Sequence, residues 1–395
     1  MPELYRKPAV LHKLLRTLRA TSPNKEPLHA HPAACYTSLL LTIDTTGQHH
    51  RFAAAFRILE DVISARAFPS AATAIVYRGK LVALHGLGHH TFDAASPAVT
   101  ADSVFDIASV SKVVATTTMA ALLYERGLLQ LDALVADIVP EFRSDDLRRS
   151  DVSVRALLTH TSGLPAYIKL FEQTRDRDEL IRLAIGTPLE ADPGTRTSYS
   201  DIGFIMLGVI LERLAEEPLD TFCRREIFKP LELNHTTFNP PSALRKDIVP
   251  TADDRKFRHK LVQGEVHDEN TWVMRGVAGH AGLFSTGSDL ARFAQCWLSG
   301  GAPILNAATI AEFTRQQPGT TRALGWDRPS PPSQAGQHFS PLSFGHLGFT
   351  GTSLWCDPSR QLAIVLLTNR VWPDSSNQAI KQIRPRFHDA IVESL

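Results

Sequence analysis

The stretch from Phe105 to Gly127 restricts the fold of this chain more than any other. Val113-Val114-Ala115-Thr116-Thr117-Thr118-Met119-Ala120-Ala121-Leu122-Leu123 has almost no charged face. It reads as a helix buried on all sides rather than an amphipathic surface one. Its small residues let neighbouring elements approach closely, and Tyr124-Glu125-Arg126-Gly127 ends it with glycine just past the C-cap. Such a helix needs a large core around it. A chain of 395 residues, 43% of them hydrophobic, can bury one large core or two modest ones.

Ser109-Val110-Ser111-Lys112 opens that helix. A serine and a lysine three apart share a helix face, one turn over the other, so the amine can reach the hydroxyl. Desolvation lowers the pKa of an amine held in an apolar site, and the amine can then take the proton of a weakly nucleophilic serine. The N-terminal position adds free backbone N–H groups and the positive end of the helix dipole, which suit a developing oxyanion. The pattern predicts a covalent-intermediate serine hydrolase. On these residues alone the competing reading is an ordinary N-cap beside a solvated lysine. Ser22-Pro23-Asn24-Lys25 has the same spacing in a polar, proline-bearing tail and reads as a chance match.

The bulk numbers exclude other classes. A formal charge of +1 lacks the basic excess of a nucleic-acid binder. No stretch reaches the roughly 18 consecutive apolar residues of a membrane span. Cys35, Cys223, Cys296 and Cys356 form no C-x-x-C pair and read as free thiols in a reducing compartment. The basic N-terminus is followed by no apolar segment within signal-peptide range. The run Cys35 to Ile43 starts too late and lacks a small-residue cleavage site, so a cytoplasmic location is expected. Residues 1–50 read as an N-terminal extension. There Val10, Leu11, Leu14, Leu15 and Leu18, beside Lys13, Arg16 and Arg19, outline a short basic amphipathic helix. His29, His31, His49 and His50 lack metal-ligand spacing. H-E-x-x-H, Walker A, G-x-S-x-G and internal repeats are absent, and no metal or cofactor is expected.

Residues 51–395 read as one domain of α+β class. A helix is predicted over Phe52 to Ala65, then a hairpin of Ala71 to Tyr77 and Lys80 to Gly86 around Arg78-Gly79. A second hairpin is predicted from Ser353 to Cys356 and Leu362 to Thr368, followed by a helix from Asn377 to Ser394 broken or restarted at Pro385. Hairpins at both ends suggest one antiparallel sheet built from both chain ends and flanked by helices. A mostly helical lobe is inserted at about 131–313. Its segments are Val154 to Leu158, Arg177 to Ile185, Asp201 to Ala215, Leu219 to Phe228 and Ser288 to Leu298. The stretch Asp327 to Ser343, rich in proline, serine and glycine, reads as a loop over the pocket or a mobile segment.

Four stretches, in order, resemble the serine hydrolases that include class C β-lactamases, D-alanyl-D-alanine carboxypeptidases (penicillin-binding proteins) and family VIII carboxylesterases. Ser109-Val110-Ser111-Lys112 is similar to their S-x-x-K motif, and Leu157-Leu158-Thr159-His160-Thr161-Ser162-Gly163-Leu164-Pro165 to a loop of their helical lobe. Tyr199-Ser200-Asp201 stands where they carry Y-x-N. His346-Leu347-Gly348 stands where they carry K-T-G or H-T-G. The resemblance spans residues 51–395 and implies a β-lactamase-like fold and an acyl-enzyme on Ser109. Lys112 and Tyr199 would be the proton carriers, with either as base, and Asp201, His346, Gly348 and Phe349 would bind substrate. The oxyanion would lie between the N–H groups of Ser109 and Phe349.

Two positions depart from the pattern. Asp201 replaces an amide by an acceptor-only carboxylate, which would hold Lys112 protonated and shift base duty to Tyr199. Leu347 removes a hydroxyl and His346 replaces a lysine, which disfavours carboxylate-bearing β-lactams. His267-Asp268-Glu269-Asn270 and Gly276-Val277-Ala278-Gly279-His280-Ala281-Gly282 resemble a branch linked to muropeptide processing, with His280 either facing the pocket or structural. The expected substrate is a small ester, amide or muropeptide-like molecule, with no nucleic-acid partner. The alternatives are a true β-lactamase or carboxypeptidase, or a non-catalytic sensor.

Overall fold

The computed structural model describes residues 41–395. The predicted basic helix, Ser22 to Lys25, His29, His31 and Cys35 lie outside the described residues.

Six strands form the main sheet, in the spatial order Thr42–Ile43, Lys80–Gly88, Ser70–Tyr77, Leu362–Thr368, Ser353–Asp357, Phe344–Leu347. Both predicted hairpins are present, and the two chain ends meet where Ala71 to Tyr77 pair antiparallel with Leu362 to Thr368. Thr42 and Ile43 pair in parallel with Lys80 and Leu81, so the sheet takes in residues on the extension side of position 51.

Alternation along the strands divides the core in two. Ala72, Ala74, Val76, Val365 and Leu367 face the inner core, while Ala71, Ile75, Ile364 and Leu366 face an outer one. Both faces are covered, which is why Leu362 to Leu367 is apolar without a break. Helices Ala53–Ser64 and Ile380–Glu393 cover the outer face. Helix Gly287–Leu298, placed in the inserted lobe by its sequence position, instead covers the inner face of the sheet, burying Leu290, Phe293, Ala294 and Trp297. The expected lobe therefore ends earlier than residue 313.

Two further expectations change. Ile380–Glu393 runs through Pro385 without a break. Proline removes the N–H that would have reached the Lys381 carbonyl, and the Gln334 side-chain amide donates to that carbonyl instead, at 3.0 Å. The 327–343 stretch is packed rather than mobile, and Asp327 and Gln334 from it line the cleft. Ala335 and Phe339 enter the outer core, the Gln337 N–H donates to Asp389 (2.7 Å), and Ser340 bonds Asp357.

The helix behind Ser109 is buried on all sides, as its composition predicts, from Lys112 to Leu123. It is not one regular α-helix. A 3₁₀ turn, Ala108–Val110, leads into widened π turns over Lys112–Thr117 and then α-helix over Thr118–Glu125. Thr118 Oγ1 bonds the Val113 carbonyl and Thr116 Oγ1 bonds that of Gly279, so the threonines satisfy backbone acceptors around the widened turn. Irregular turns of this kind cost helix stability and gather at functional sites. Gly127, at φ +70°, closes the helix. No helix among the described residues is long and apolar enough to cross a membrane.

Candidate active site

Ser109 sits at the floor of a cleft of about 1620 Å³ between the sheet edge and the helical lobe. Strand Phe105–Asp106 leads to it, pairing with Leu283–Ser285. Ala108, immediately before the serine, has φ +45°. A β-carbon makes that left-handed region unfavourable, so the turn needs outside support. Asp106 supplies it by accepting the Ala108 N–H at 2.8 Å. Ser111 is buried and donates no reach to the cleft, because its Oγ accepts the Leu283 N–H at 3.1 Å.

Lys112 is 0% exposed, and its Nζ has three partners. They are Ser109 Oγ at 2.9 Å, Asp201 Oδ1 at 2.7 Å and the His280 carbonyl at 2.9 Å. An ammonium has three N–H donors and no acceptor, so this set fits the charged form. Burial works against the charge, but Asp201 and Tyr199 outweigh it and hold the lysine above its ordinary pKa. The amine lowered by desolvation, expected from the motif alone, is therefore not present. The Asp201 departure decides the matter.

Tyr199 is placed by the corner before helix Asp201–Ala215. Ser200 caps that helix, accepting the Gly203 N–H at 3.0 Å and donating to the Pro165 carbonyl at 2.6 Å. The Ser200 N–H donates to His160 Nδ1 at 3.0 Å. The His160 ring stacks on Phe204 and lies 4.6 Å from the Tyr199 ring. Burial first, then Arg322 and Lys112, push the His160 pKa well down, so it is a neutral acceptor. The 157–165 loop thus serves to hold the tyrosine corner. Burial pushes the Tyr199 phenol up, the Lys112 ammonium pulls it down and Asp201 pushes it up again, leaving it above its ordinary value. At neutral pH the resting site holds an ammonium and a neutral phenol, not the phenolate that a neighbouring ammonium alone would favour.

The opposite wall is the end of edge strand Phe344–Leu347. His346 Nδ1–H donates to the Leu347 carbonyl at 2.8 Å, leaving Nε2 an acceptor with no partner among the described residues. Burial, Lys112 and Arg322 keep this ring neutral. Gly348 contributes through its lack of a side chain. A β-carbon there would lie 1.9 Å from Thr352 Oγ1 and 2.6 Å from the Ile107 carbonyl. Its N–H is taken by the Thr352 carbonyl at 2.8 Å, so it offers no backbone donor to a substrate. Phe349 is 53% exposed, between the His267 ring and the Arg370 guanidinium.

Of the predicted site residues Ser109, Tyr199, Asp201, His346, Gly348 and Phe349 line one cleft, and Lys112 lies buried behind Ser109. Sequence reasoning missed Arg322, whose guanidinium lies 5.5 Å from the Tyr199 ring centroid and whose Nη1 has no partner among the described residues. No motif marks it. The role of His160 in holding Ser200 was missed too, although the loop that carries it stood out.

A model of the family described as "Beta-lactamase" matches residues 55–384. The chain belongs to the beta-lactamase family. It is 34% identical to a putative D-alanyl-D-alanine carboxypeptidase of Salmonella agona (strain SL483), over 69% of this chain and 70% of that protein. It is 33% identical to an N-acetylmuramyl-L-alanine amidase of Bacillus subtilis (strain 168), over 78% of each. Among solved structures it is similar to EstCE1, a hydrolase with promiscuous acyltransferase activity. There the TM-score is 0.72 at 20% identity, over 87% of this chain and 99% of that one. This beta-lactamase-family protein is a serine hydrolase of β-lactamase-like fold, with a putative carboxypeptidase and an amidase among its relatives.

Proposed function

We propose that this hydrolase cleaves an amide or ester of a peptidoglycan-fragment type through an acyl-enzyme on Ser109. The observation that carries the reading is the saturated Lys112 ammonium, one of whose three N–H groups meets Ser109 Oγ. An ammonium cannot be the base. In the proposed relay Ser109 Oγ attacks the carbonyl carbon as its proton passes to Tyr199 Oη, and the Tyr199 proton passes to the leaving nitrogen or oxygen. Water then repeats the path in reverse and releases the acid. The Lys112 charge stabilises developing negative charge on Oγ and Oη throughout. The Ser109 and Phe349 N–H groups have no hydrogen-bond partner among the described residues, which supports them as the oxyanion donors. Asp201 serves the lysine. His346, Leu347 and Phe349 form the wall a substrate meets, with Gly348 as the close-approach point behind it.

The substrate class rests on the two curated relatives, whose names denote amide cleavage beside alanine in cell-wall material. The buried free thiols of Cys223, Cys296 and Cys356 support a cytoplasmic location. The test is intact mass after a fluorophosphonate and after a penicillin, followed by turnover of aryl esters and muropeptides with and without a chelator. A single adduct mapped to Ser109, with chelator-independent turnover, is expected. A label on Ser111, or activity lost to a chelator and restored by zinc, overturns the reading.

A further inference from the structure

The 267–270 stretch takes no part in the relay, yet two of its residues stand one partner away from the reacting groups. The His267 N–H donates to Asp106 Oδ2 at 2.6 Å, while Asp106 Oδ1 accepts the N–H of Ala108. Both oxygens of a carboxylate 1% exposed are therefore spent on backbone, one of them on the left-handed residue that presents Ser109. Next in sequence, Asp268 Oδ1 accepts His280 Nε2–H at 2.8 Å and the Thr271 N–H at 2.7 Å. The carbonyl of that same His280 is the third partner of Lys112. Two adjacent residues thus reach the nucleophile by one route and its lysine by another.

We propose that Asp106 and Asp268 are positioning residues, Asp106 fixing the turn that presents Ser109 and Asp268 fixing, through His280, the carbonyl that orients Lys112, with the 267–268 peptide coupling the two. This rests on the reading of Ser109 as nucleophile. The Ser109 N–H and Oγ must hold their angle to the carbonyl carbon, and misplacement by about 1 Å costs on the order of 100-fold in rate. The left-handed Ala108 has no intrinsic preference for that geometry, so a carboxylate locked from both sides is what holds it. The groups facing Asp106 are Asp268, Arg258 and the His267 backbone. Burial, against the two backbone hydrogen bonds, pushes its carboxyl up to about 6. Protonation would turn one of its two acceptor oxygens into a donor opposite an N–H.

The experiment compares D106N, D268A, D268N and S109A with wild type, using p-nitrophenyl butyrate turnover, fluorophosphonate labelling and thermal melting. Asn at 106 can accept only one of the two N–H groups. Wild type should show an acid limb near pH 6, and D106N should lose it together with about 10- to 100-fold in kcat, with KM within about threefold. D268A should show a loss of the same order. D268N keeps an oxygen toward His280 Nε2–H and should recover to within about fivefold of wild type. Folded D106N and D268A that label and turn over at wild-type rates overturn the proposal, as does D268N no better than D268A. If D268A does not fold, an acid limb in D106N that stays where wild type has it overturns it. An active S109A would instead defeat the nucleophile assignment.

Discussion

The two walls of the cleft are built on opposite principles. On the helical side Lys112 Nζ meets Ser109 Oγ, Asp201 Oδ1 and the His280 carbonyl at 2.7–2.9 Å, so the ammonium has an acceptor for each N–H, and behind Tyr199 only His160 Nε2 is left buried without a partner among the described residues. On the sheet side His346 Nε2 is buried without a partner among the described residues, as is Arg322 Nη1 across the cleft beside Tyr199, and half of Phe349 faces solvent. Buried polar atoms left unpaired cost roughly 1–3 kcal/mol each, so they persist where something else supplies the partner. The saturated wall is preorganised for chemistry. The unsaturated wall is a surface for recognition.

Breaking the saturated wall should have the largest effect. Ser109→Ala should abolish labelling and turnover. Lys112→Ala and Tyr199→Phe should each lose several orders of magnitude in kcat, and the double variant little more than either alone, because the groups act as one unit. Additive losses in that cycle would show two independent functions instead of one relay.

The next effect belongs to the other wall. His346 is neutral and Leu347 has no hydroxyl, so a β-lactam carboxylate forgoes two charge-assisted hydrogen bonds typically worth about 1.5–3 kcal/mol each. The loss amounts to about two to four orders of magnitude in rate. Nitrocefin should therefore fall below p-nitrophenyl butyrate by that margin in kcat/KM. Equal values would assign carboxylate binding to a cation of the cleft that no motif announced, Arg322 beside Tyr199 or Arg370 beside Phe349.

Local chemistry explains which of these features were legible in the sequence. Ser200 before an apolar run marks the start of helix Asp201–Ala215, and Arg78-Gly79 between two apolar runs marks the first hairpin, so both were readable at short range. The Asp201–Lys112 contact joins positions 89 residues apart, and only its consequence could be stated in advance. The charge state of Lys112 needed that distance. Arg322 enters the cleft from a connector without periodicity. Composition marks 327–343 as irregular but says nothing of what it packs against. Pro385 signals a break that Gln334, remote in sequence, repairs.

A smaller effect sharpens the contrast between a charged and a neutral lysine. Asp201→Asn removes the anion that contributes most against the burial of Lys112, so the lysine pKa should fall. If the ammonium is the working form, the alkaline limb of the kcat/KM profile moves to lower pH and the acid limb stays. A shift of the acid limb to lower pH would instead identify the neutral amine as the base. An unchanged profile would reduce Asp201 to a helix-start residue.

The smallest effect compares the cleft with the layer behind the sheet through stability. Burial holds His160 and His346 well below 6.5 at the cleft, His267 at about 4 beside it, and His388 at about 3 in the outer core. Below pH 6.5 the unfolded chain binds protons that the folded chain refuses. Their stabilisation is therefore full above pH 6.5 and is lost as the pH falls toward 4 and below. Each proton contributes up to about 1.4 kcal/mol per pH unit. Asp106 has the opposite sign: raised to about 6, it binds a proton in the folded state between about pH 4 and 6 and offsets part of the loss. With His85 and His90 also lowered and Glu269 and Asp289 also raised, six histidines against three carboxyls leave a net fall, so the melting temperature should drop between pH 7 and pH 5. His388→Gln, remote from the cleft, should flatten that slope by about one proton and leave the pH 7 turnover per folded molecule unchanged. A melting temperature level from pH 7 to pH 5 would mean that these rings charge freely in the folded protein. The neutral, unsaturated sheet-side wall would then lose its basis.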